Sequence, residues 1–349
     1  MHVVVTGASG NVGSAVVEAL VADQRVTSVT GISRRPHDWR PPRTEWQWGD
    51  VAEMDLDTVL RGADVVVHLA WLFHPMRHPE VTWHSNVLGT RRLVDAVART
   101  GVPSLVVASS VGAYSPRLDL EPVDETWPTD GQPLTAYSRE KAYVERLLDL
   151  HEESHPDRRV VRLRPAFTFQ PRSGIQQRRL FLGPLVPGAV LRPGRVPVLP
   201  MPRDLRLQAV HTTDVAAAYL AAALGTTRGA FNIAADPVLD PDALAALLHA
   251  RWTAVPAGLL RGGLAMAHRA HVVPTAPELF DLLMTVPVMS TLRARNELGW
   301  QPRHDGPEAL TSFLRPLDNT GEPETPPLPQ RDGVGVRARE LATGLGHRP

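Results

Sequence analysis

The stretch Val3-Val4-Val5-Thr6-Gly7-Ala8-Ser9-Gly10-Asn11-Val12-Gly13-Ser14-Ala15-Val16-Val17-Glu18-Ala19-Leu20-Val21 decides the fold. A short β-branched run breaks into a glycine-rich turn, and apolar residues then recur at helical spacing. This is strand, glycine turn, helix. Glycines at 7, 10 and 13 let the backbone turn tightly and approach a pyrophosphate, which then rests at the positive end of the helix. The spacing is not G-x-G-x-x-G, and a turn without ligand is the plain alternative. A Walker-type phosphate loop is excluded, because it needs a lysine and the only lysine in the chain is Lys141.

Working outward, strands and helices alternate. Val26 to Ser33 reads as a second strand that ends beside the place for an adenosine ribose. An acidic residue there would accept from the ribose hydroxyls and favour NAD. The chain has Ser33-Arg34-Arg35, and arginines suit a 2'-phosphate by charge and fork geometry, so the reading leans to NADP over NAD. Trp48-Gly49-Asp50-Val51 closes a third strand, with Asp50 placed to bond an adenine amino group. Ala63 to Ala70 is a buried parallel strand by its apolar run, followed by an irregular piece from Trp71 to Pro79 and a helix carrying Asn86. Leu105 to Ala108 is the next strand, and its carboxyl end carries Ser109 and Ser110 where such sheets bind ligands. The alternation predicts an α/β doubly wound parallel sheet.

Of 37 basic side chains only Lys141 is a lysine, and it lies four residues after Tyr137, one of only four tyrosines. In a helix from about 135 to 155 the two share a face. Chance gives such a pair in roughly 1% of cases, which makes a weak motif fairly specific. A phenol near its ordinary pKa is a poor acid–base catalyst at neutral pH, and a neighbouring ammonium favours phenolate. Tyr and Lys merely stacking on a surface helix is the bland reading.

At 349 residues the chain suggests one large domain or two joined closely. The 37 basic and 37 acidic residues balance, so neither nucleic acid nor an anionic membrane is indicated as a partner. The absence of cysteine removes disulfides, thiol nucleophiles and Cys-ligated zinc together. No apolar run is long enough to span a bilayer and the first residues read as a strand, so a soluble, cytoplasmic protein acting on a small molecule is expected. One rival motif exists: His151-Glu152-Glu153-Ser154-His155 has the form of a zinc-protease helix. It ends a helix just before Pro156, where such residues commonly face solvent, and no metal is expected there. His74 and His78 have no metal-ligand spacing either.

Taken in order, these pieces resemble the extended short-chain dehydrogenase/reductase family, the NAD(P)-dependent epimerase/dehydratase group. The matching motifs are Thr6-Gly7-x-x-Gly10-x-x-Gly13, Gly49-Asp50-Val51, His68-Leu69-Ala70, Asn86-x-x-Gly89-Thr90, Ser109-Ser110 and Tyr137-x-x-x-Lys141. Later come Leu163-Arg164-Pro165, Val210-His211-Thr212-Thr213-Asp214-Val215-Ala216, Phe231-Asn232-Ile233-Ala234 and Glu297-Leu298-Gly299-Trp300. The resemblance implies Tyr137 as acid/base, Lys141 on the nicotinamide ribose, and Ser110 on the reacting oxygen, with Ser109 packing or bonding backbone. It implies a dinucleotide held by Gly7, Ser9, Gly10, Asn11, Val12, Gly13, Ser33, Arg34, Arg35, Asp50, Val51, Leu69, Ala70, Tyr137, Lys141 and Pro165. Asn86 reads as a structural amide tying helix to strand. A homodimer through helices beside the Tyr137 helix is a further expectation of the same kind.

The sequence departs from the nucleotide-sugar members in two places. Where those carry a diphosphate-gripping Arg four residues before His211, this chain has Leu207, with Arg206 one place earlier. Where they often read Tyr-Gly-Pro it has Phe169-Gln170-Pro171. Arg178, Arg179, Arg192 and Arg203 are the alternative grips. Val111-Gly112 after Ser110 also disfavours a 4,6-dehydratase. The expected organisation is a Rossmann-like dinucleotide domain over 1–165, whose sheet takes back strands near 208–235. A smaller substrate-binding region over 166–315 follows, helical from 256 to 300, and then a Pro-rich flexible tail over 316–349. The activity expected is hydride transfer at a carbinol or carbonyl carbon, in a sugar-nucleotide epimerase. An NADPH-dependent ketone, aldehyde or hydroxysteroid-like reductase is the alternative, and a non-catalytic NADP-sensing regulator is the alternative of another class.

Overall fold

The computed structural model describes residues 1–73, 79–171, 194–270, 273 and 275–314. Strand β1 (His2–Thr6) leads to α1 (Asn11–Ala22), β2 (Ser28–Ser33), β3 (Thr44–Trp48), α2 (Leu56–Leu60) and β4 (Val65–His68). Helix α3 (Pro79–Trp83), a π-helical turn (His84–Leu88) and α4 (Gly89–Thr100) follow one another directly. Next come β5 (Ser104–Ala108), a short 3-10 turn (Val111–Ala113), α5 (Ala136–Ser154), β6 (Arg159–Pro165) and β7 (Phe167–Phe169). The chain continues through β8 (Val198–Met201), β9 (Ala209–His211), α6 (Thr212–Leu224), β10 (Gly229–Ile233), α7 (Pro241–Leu247) and β11 (Arg251–Ala254). The last described elements are α8 (Ala257–Arg269), α9 (Pro277–Thr285), α10 (Leu292–Glu297) and α11 (Gly306–Leu314).

Seven strands form one sheet in the order β10-β6-β5-β4-β1-β2-β3, every neighbouring pair parallel. The order reverses between β1 and β4, so the crevice lies at their carboxyl ends. Strand residues alternate between two cores. Val3, Val5, Val65, Val67 and Val106 meet Val16, Val17 and Leu20 of α1 and Val215, Ala218, Tyr219 and Ala222 of α6. Val4, Val66, Leu105, Val107 and Val160 meet Leu56 and Leu60 of α2, Leu93, Val94 and Val97 of α4, and Val144 and Leu148 of α5. Both faces are covered, which is why the strands read as unbroken apolar runs rather than alternating ones.

The doubly wound parallel sheet is as the sequence indicated, with differences at element ends. The second strand starts at Ser28 rather than Val26, because Val26 closes the turn after α1 by bonding the Asp23 carbonyl. The third ends at Trp48, and the Asp50 carbonyl then accepts from Glu53 and Met54 in a turn. Strand β10 extends the main sheet, but β9 pairs with β7 in a separate two-stranded ladder. The described residues of the region expected to be helical from 256 to 300 hold three helices and an extended break. There Val123 bonds Val288, and Ser290 bonds Val123, at 2.8 Å each. The Pro-rich tail over 316–349 lies outside the described residues, as do Arg178, Arg179, Arg192, His74 and His78.

Candidate functional site

The glycine turn follows β1 at the reversal of strand order. Gly7 has φ +66, and a Cβ there would lie 2.8 Å from backbone atoms of Ala70. A Cβ on Gly13 would fall 2.1 Å from the Gly7 carbonyl oxygen. Only glycine fits at either place. Gly10 caps α1 and so offers no side chain to accept from the leading N–H groups of that helix. A bare helix N-terminus behind a turn that excludes side chains fits a pyrophosphate.

A buried hydrogen-bonded chain holds this turn against β4 and α4. Thr90 donates to the Asn86 carbonyl, so its oxygen must accept from Nε2–H of His68 at 2.9 Å. His68 Nδ1 then accepts from the Thr6 hydroxyl at 2.7 Å, and Thr6 Oγ1 accepts from the N–H groups of Leu69 and Ala70 at 3.2 Å each. Burial, with the charge of Lys141, drives the His68 pKa down to about 3 and keeps the ring neutral, as this proton order requires.

At the end of β2, the Ser33 hydroxyl donates to the Arg35 carbonyl at 3.2 Å and takes a 2.8 Å bond from Ser9. Arg34 and Arg35 stand exposed beside it. Asp50 accepts from the Ala52 N–H at 2.9 Å through Oδ1, while Oδ2 lies 3.9 Å from Arg34. Val51 is buried in the second core and Val12 packs on the first. Pro165 ends β6 opposite Ile233.

Ser110 caps the 3-10 turn, its oxygen accepting from the Gly112 N–H at 3.0 Å and hydrogen-bonding Tyr137. The Tyr137 ring lies on Gly112, where a Cβ would come within 2.7 Å of it. Trp71 and Phe73 meet that ring edge-on at centroid distances of 6.0 and 5.0 Å. Burial raises the phenol to about 12, with Ser110 opposing and Glu140 adding to the rise. The lowering expected from a neighbouring lysine is therefore absent from the chain by itself. Lys141 is buried, donates to the Ala108 carbonyl at 2.7 Å, and sits 3.3 Å from the centre of the Trp71 ring but 6.0 Å from that of Tyr137. Burial pulls its ammonium down to about 7, against Glu145 and Glu140.

Asn86 lies in the π-helical turn, a place where such turns often serve function. Its amide both accepts from and donates to the Leu72 backbone, at 2.6 and 3.1 Å, and donates to Glu140 at 2.7 Å. Ser109, expected to pack or bond backbone, gives its hydroxyl to the Glu145 carboxylate at 2.5 Å. Glu145 also takes Arg164 on both oxygens at 2.9 and 3.0 Å and Arg162 at 3.1 Å. Burial alone would raise Glu145, but these partners outweigh it and hold the carboxyl at about 2. Glu140, Glu145, Trp71 and Phe73 carried no motif that singled them out, although the first two share the helix of Tyr137 and Lys141.

The rival histidine pair does not face solvent as expected. His151 is buried and its ring stacks on His155 at 4.7 Å, while Glu152 pairs with Arg162. Among the described residues no group of three His, Asp or Glu is placed to hold a metal. Arg206 donates to its own loop's carbonyls at Arg203 and Leu205, and Arg203 is exposed.

Fold and site together define a doubly wound α/β protein with a phosphate-compatible turn at its switch point and a Ser, Tyr and Lys set beside it. The chain belongs to the NAD dependent epimerase/dehydratase family, whose sequence profile matches residues 3–234. It is 38% identical over 109 residues to the decarboxylating sterol-4-alpha-carboxylate 3-dehydrogenase of Saccharomyces cerevisiae, covering 31% of each chain. It is 30% identical over 175 residues to the N-acetyl-alpha-D-glucosaminyl-diphospho-ditrans,octacis-undecaprenol 4-epimerase of Escherichia coli, covering 49% of this chain and 50% of that one. The matches thus span a third to a half of the length of these relatives. Among solved structures, a short-chain dehydrogenase/reductase superfamily protein from Agrobacterium tumefaciens with bound NAD has a TM-score of 0.67 at 26% identity, over 90% of this chain and 96% of that one. A UDP-glucuronic acid 4-epimerase from Bacillus cereus has a TM-score of 0.67 at 17% identity, over 90% and 99%, and shows likeness of fold. No helix among the described residues is long and apolar enough to cross a membrane.

Proposed function

We propose that the protein is an NAD(P)-dependent oxidoreductase or epimerase that moves a hydride at a carbinol or carbonyl carbon. The observation that carries this is the convergence of Ser110 and Tyr137, hydrogen-bonded to each other, with Lys141 one helical turn away on α5 beside the glycine turn. Gly7 to Gly13 would hold the pyrophosphate of a dinucleotide, with Ser33, Arg34 and Asp50 at the adenosine end, and the nicotinamide would supply hydride chemistry at its C4. Tyr137 takes the hydroxyl proton or returns it, and Ser110 donates to the oxygen as charge develops there. Lys141 would bond the near ribose of the dinucleotide. Phe73 and Trp71 exclude water from one side of the phenol, so that these dipoles act in a poorly polarisable setting.

A second reading, a reductase exchanging NADPH, is favoured by two exposed arginines after β2 and by Leu207 standing where the nucleotide-sugar members carry their diphosphate-gripping Arg. A regulator that only senses the dinucleotide has no need of Ser110, Tyr137 and Lys141 together. Titration with NAD(H) and NADP(H) tests the reading, followed by turnover of Tyr137→Phe. That variant should bind dinucleotide within a few-fold of wild type and lose turnover by at least ~1,000-fold. Retained turnover would overturn the assignment of Tyr137.

A further inference from the structure

Gln170 ties the chain that follows β6 to the glycine turn after β1. It stands one residue beyond β7, is buried, and its Nε2 donates to Asn11 twice, at 2.9 Å to the backbone oxygen and 2.7 Å to Oδ1. A backbone oxygen can only accept, which fixes which end of the Gln170 amide faces Asn11. Asn11 is the first residue of α1, immediately after the side-chain-free Gly10 cap.

The path to this contact matters. Pro165 ends β6, and β6 lies three strands from β1 in the sheet, a separation of about 14 Å. Between Pro165 and Gln170 the chain therefore travels back along the carboxyl edge, past β5 and β4, to the turn that follows β1. It does so on the face of α1 and α6, where Phe167 packs against their core, and β7 is secured there by its ladder with β9. Tyr137 and Lys141 come from α5, whose apolar side packs on the opposite face. The crevice thus has α5 on one flank and the β6–β7 chain on the other, and the Gln170–Asn11 bonds tie the second flank to the cofactor turn.

Resting on the dinucleotide reading above, we infer that Gln170 is a latch that retains the dinucleotide through turnover by fastening the substrate-side chain to the first turn of α1. A protein so fastened recycles its cofactor in place. Gln170 is a positioning residue: it acts on the dinucleotide through Asn11.

The test is the release rate of NADH and of NADPH from the full chain, followed by fluorescence after mixing with excess oxidised dinucleotide. Gln170→Met preserves size and removes the donor, and Gln170→Glu preserves length and replaces the donor by acceptors. Both should release at least about tenfold faster than wild type with association rates within about threefold, since two bonds to Asn11 are lost. Release within twofold of wild type in both variants overturns the latch. So does fast release from Gln170→Glu with wild-type release from Gln170→Met, which would make the introduced charge rather than the lost donor responsible. Should either variant fail to fold, Asn11→Ser removes one of the two acceptors and should speed release by a smaller factor; unchanged release there also overturns it. If neither dinucleotide binds wild type, the cofactor reading itself falls and the latch with it, a result distinct from binding with unaltered release.

Discussion

Lys141 occupies a slot fitted to an ammonium, with the Ala108 carbonyl on one side and the face of Trp71 on the other. Arginine preserves charge but brings a broad planar fork into a closed site, and overpacking of this sort costs about 1–3 kcal/mol. Lys141→Arg should therefore lose both turnover and melting temperature, whereas Lys141→Met, with similar volume and no charge to bury, should lose turnover alone. Thermal melts beside steady-state rates separate the two, and full activity in the arginine variant would show that shape at this slot is immaterial. His68 gives a second expectation. Its folded pKa of about 3 lies below the free value of 6.5, so the unfolded chain binds the extra proton between those limits. Stability from this group is complete above pH 6.5 and falls as pH drops towards 3, by roughly 3 kcal/mol at pH 4.5. A His68→Asn variant, weaker at pH 7, should show a flatter fall from pH 6.5 to 4.5 in denaturant titrations; an unchanged slope would place the acid sensitivity elsewhere. Tyr137 and Lys141 were legible because both residue types are scarce in this chain. Trp71 and Glu140 were not, and Gln170 stood out only as a departure from Tyr-Gly-Pro, since their partners are chosen by the packing of distant segments.

At the scale of elements, α5 does more than display Tyr137 and Lys141. One turn beyond Lys141 on the same helix, Glu145 gathers Arg162 and Arg164 from β6 and the hydroxyl of Ser109, the residue before Ser110. Helix, strand and the turn carrying Ser110 are thereby fixed to one buried carboxylate. Replacing it by an amide leaves Arg164 without its charge partner, while Arg162 keeps Asp149 and Glu152, and breaking a buried pair from one side costs about 3–5 kcal/mol. Glu145→Gln should lower the melting temperature by about 10 °C, while Leu150→Ala on the exposed side of α5 should stay within about 0.5 kcal/mol of wild type. Equal effects of the two substitutions would show that the network is not what binds α5 to β6. The alternation of strands and helices could be read ahead because a strand buried on both faces has an unmistakable apolar run. The partnering of β9 with β7 could not, because three-residue strands carry too little pattern to name a neighbour. Nor could the extended piece from Val286 to Ser290, whose apolar composition suits a helix equally well and whose form is set by its bonds to Val123.

For the molecule as a whole, the question is whether the first 165 residues can stand as a unit. Sequence order suggests it, since β1 to β6 with their helices complete a doubly wound half. Packing argues otherwise. One whole face of the sheet is closed by α1 together with α6, and α6 buries Val215, Ala216, Ala218, Tyr219, Ala222 and Ala223 there. Strand β10 then covers the open edge of β6 along its full ladder from Val161 to Pro165. Further along, Asp214 at the start of α6 is held by the Trp300 indole at 2.7 Å and by the His304 backbone and ring at 3.0 Å each. A fragment of residues 1–165 would thus present an uncovered apolar face and an unpaired, largely apolar strand edge, both of which favour association over folding. We expect that fragment to aggregate or to lack a cooperative melt, and a chain of residues 1–314, which keeps every element described, to melt as the full protein does. Circular dichroism and size-exclusion chromatography decide it. A monomeric 1–165 fragment with a sharp transition would mean that the cofactor half is an autonomous domain and that α6 and β10 merely decorate it. It would also remove the Gln170 contact from Asn11 without unfolding the glycine turn, making that fragment a direct source of a latch-free dinucleotide site.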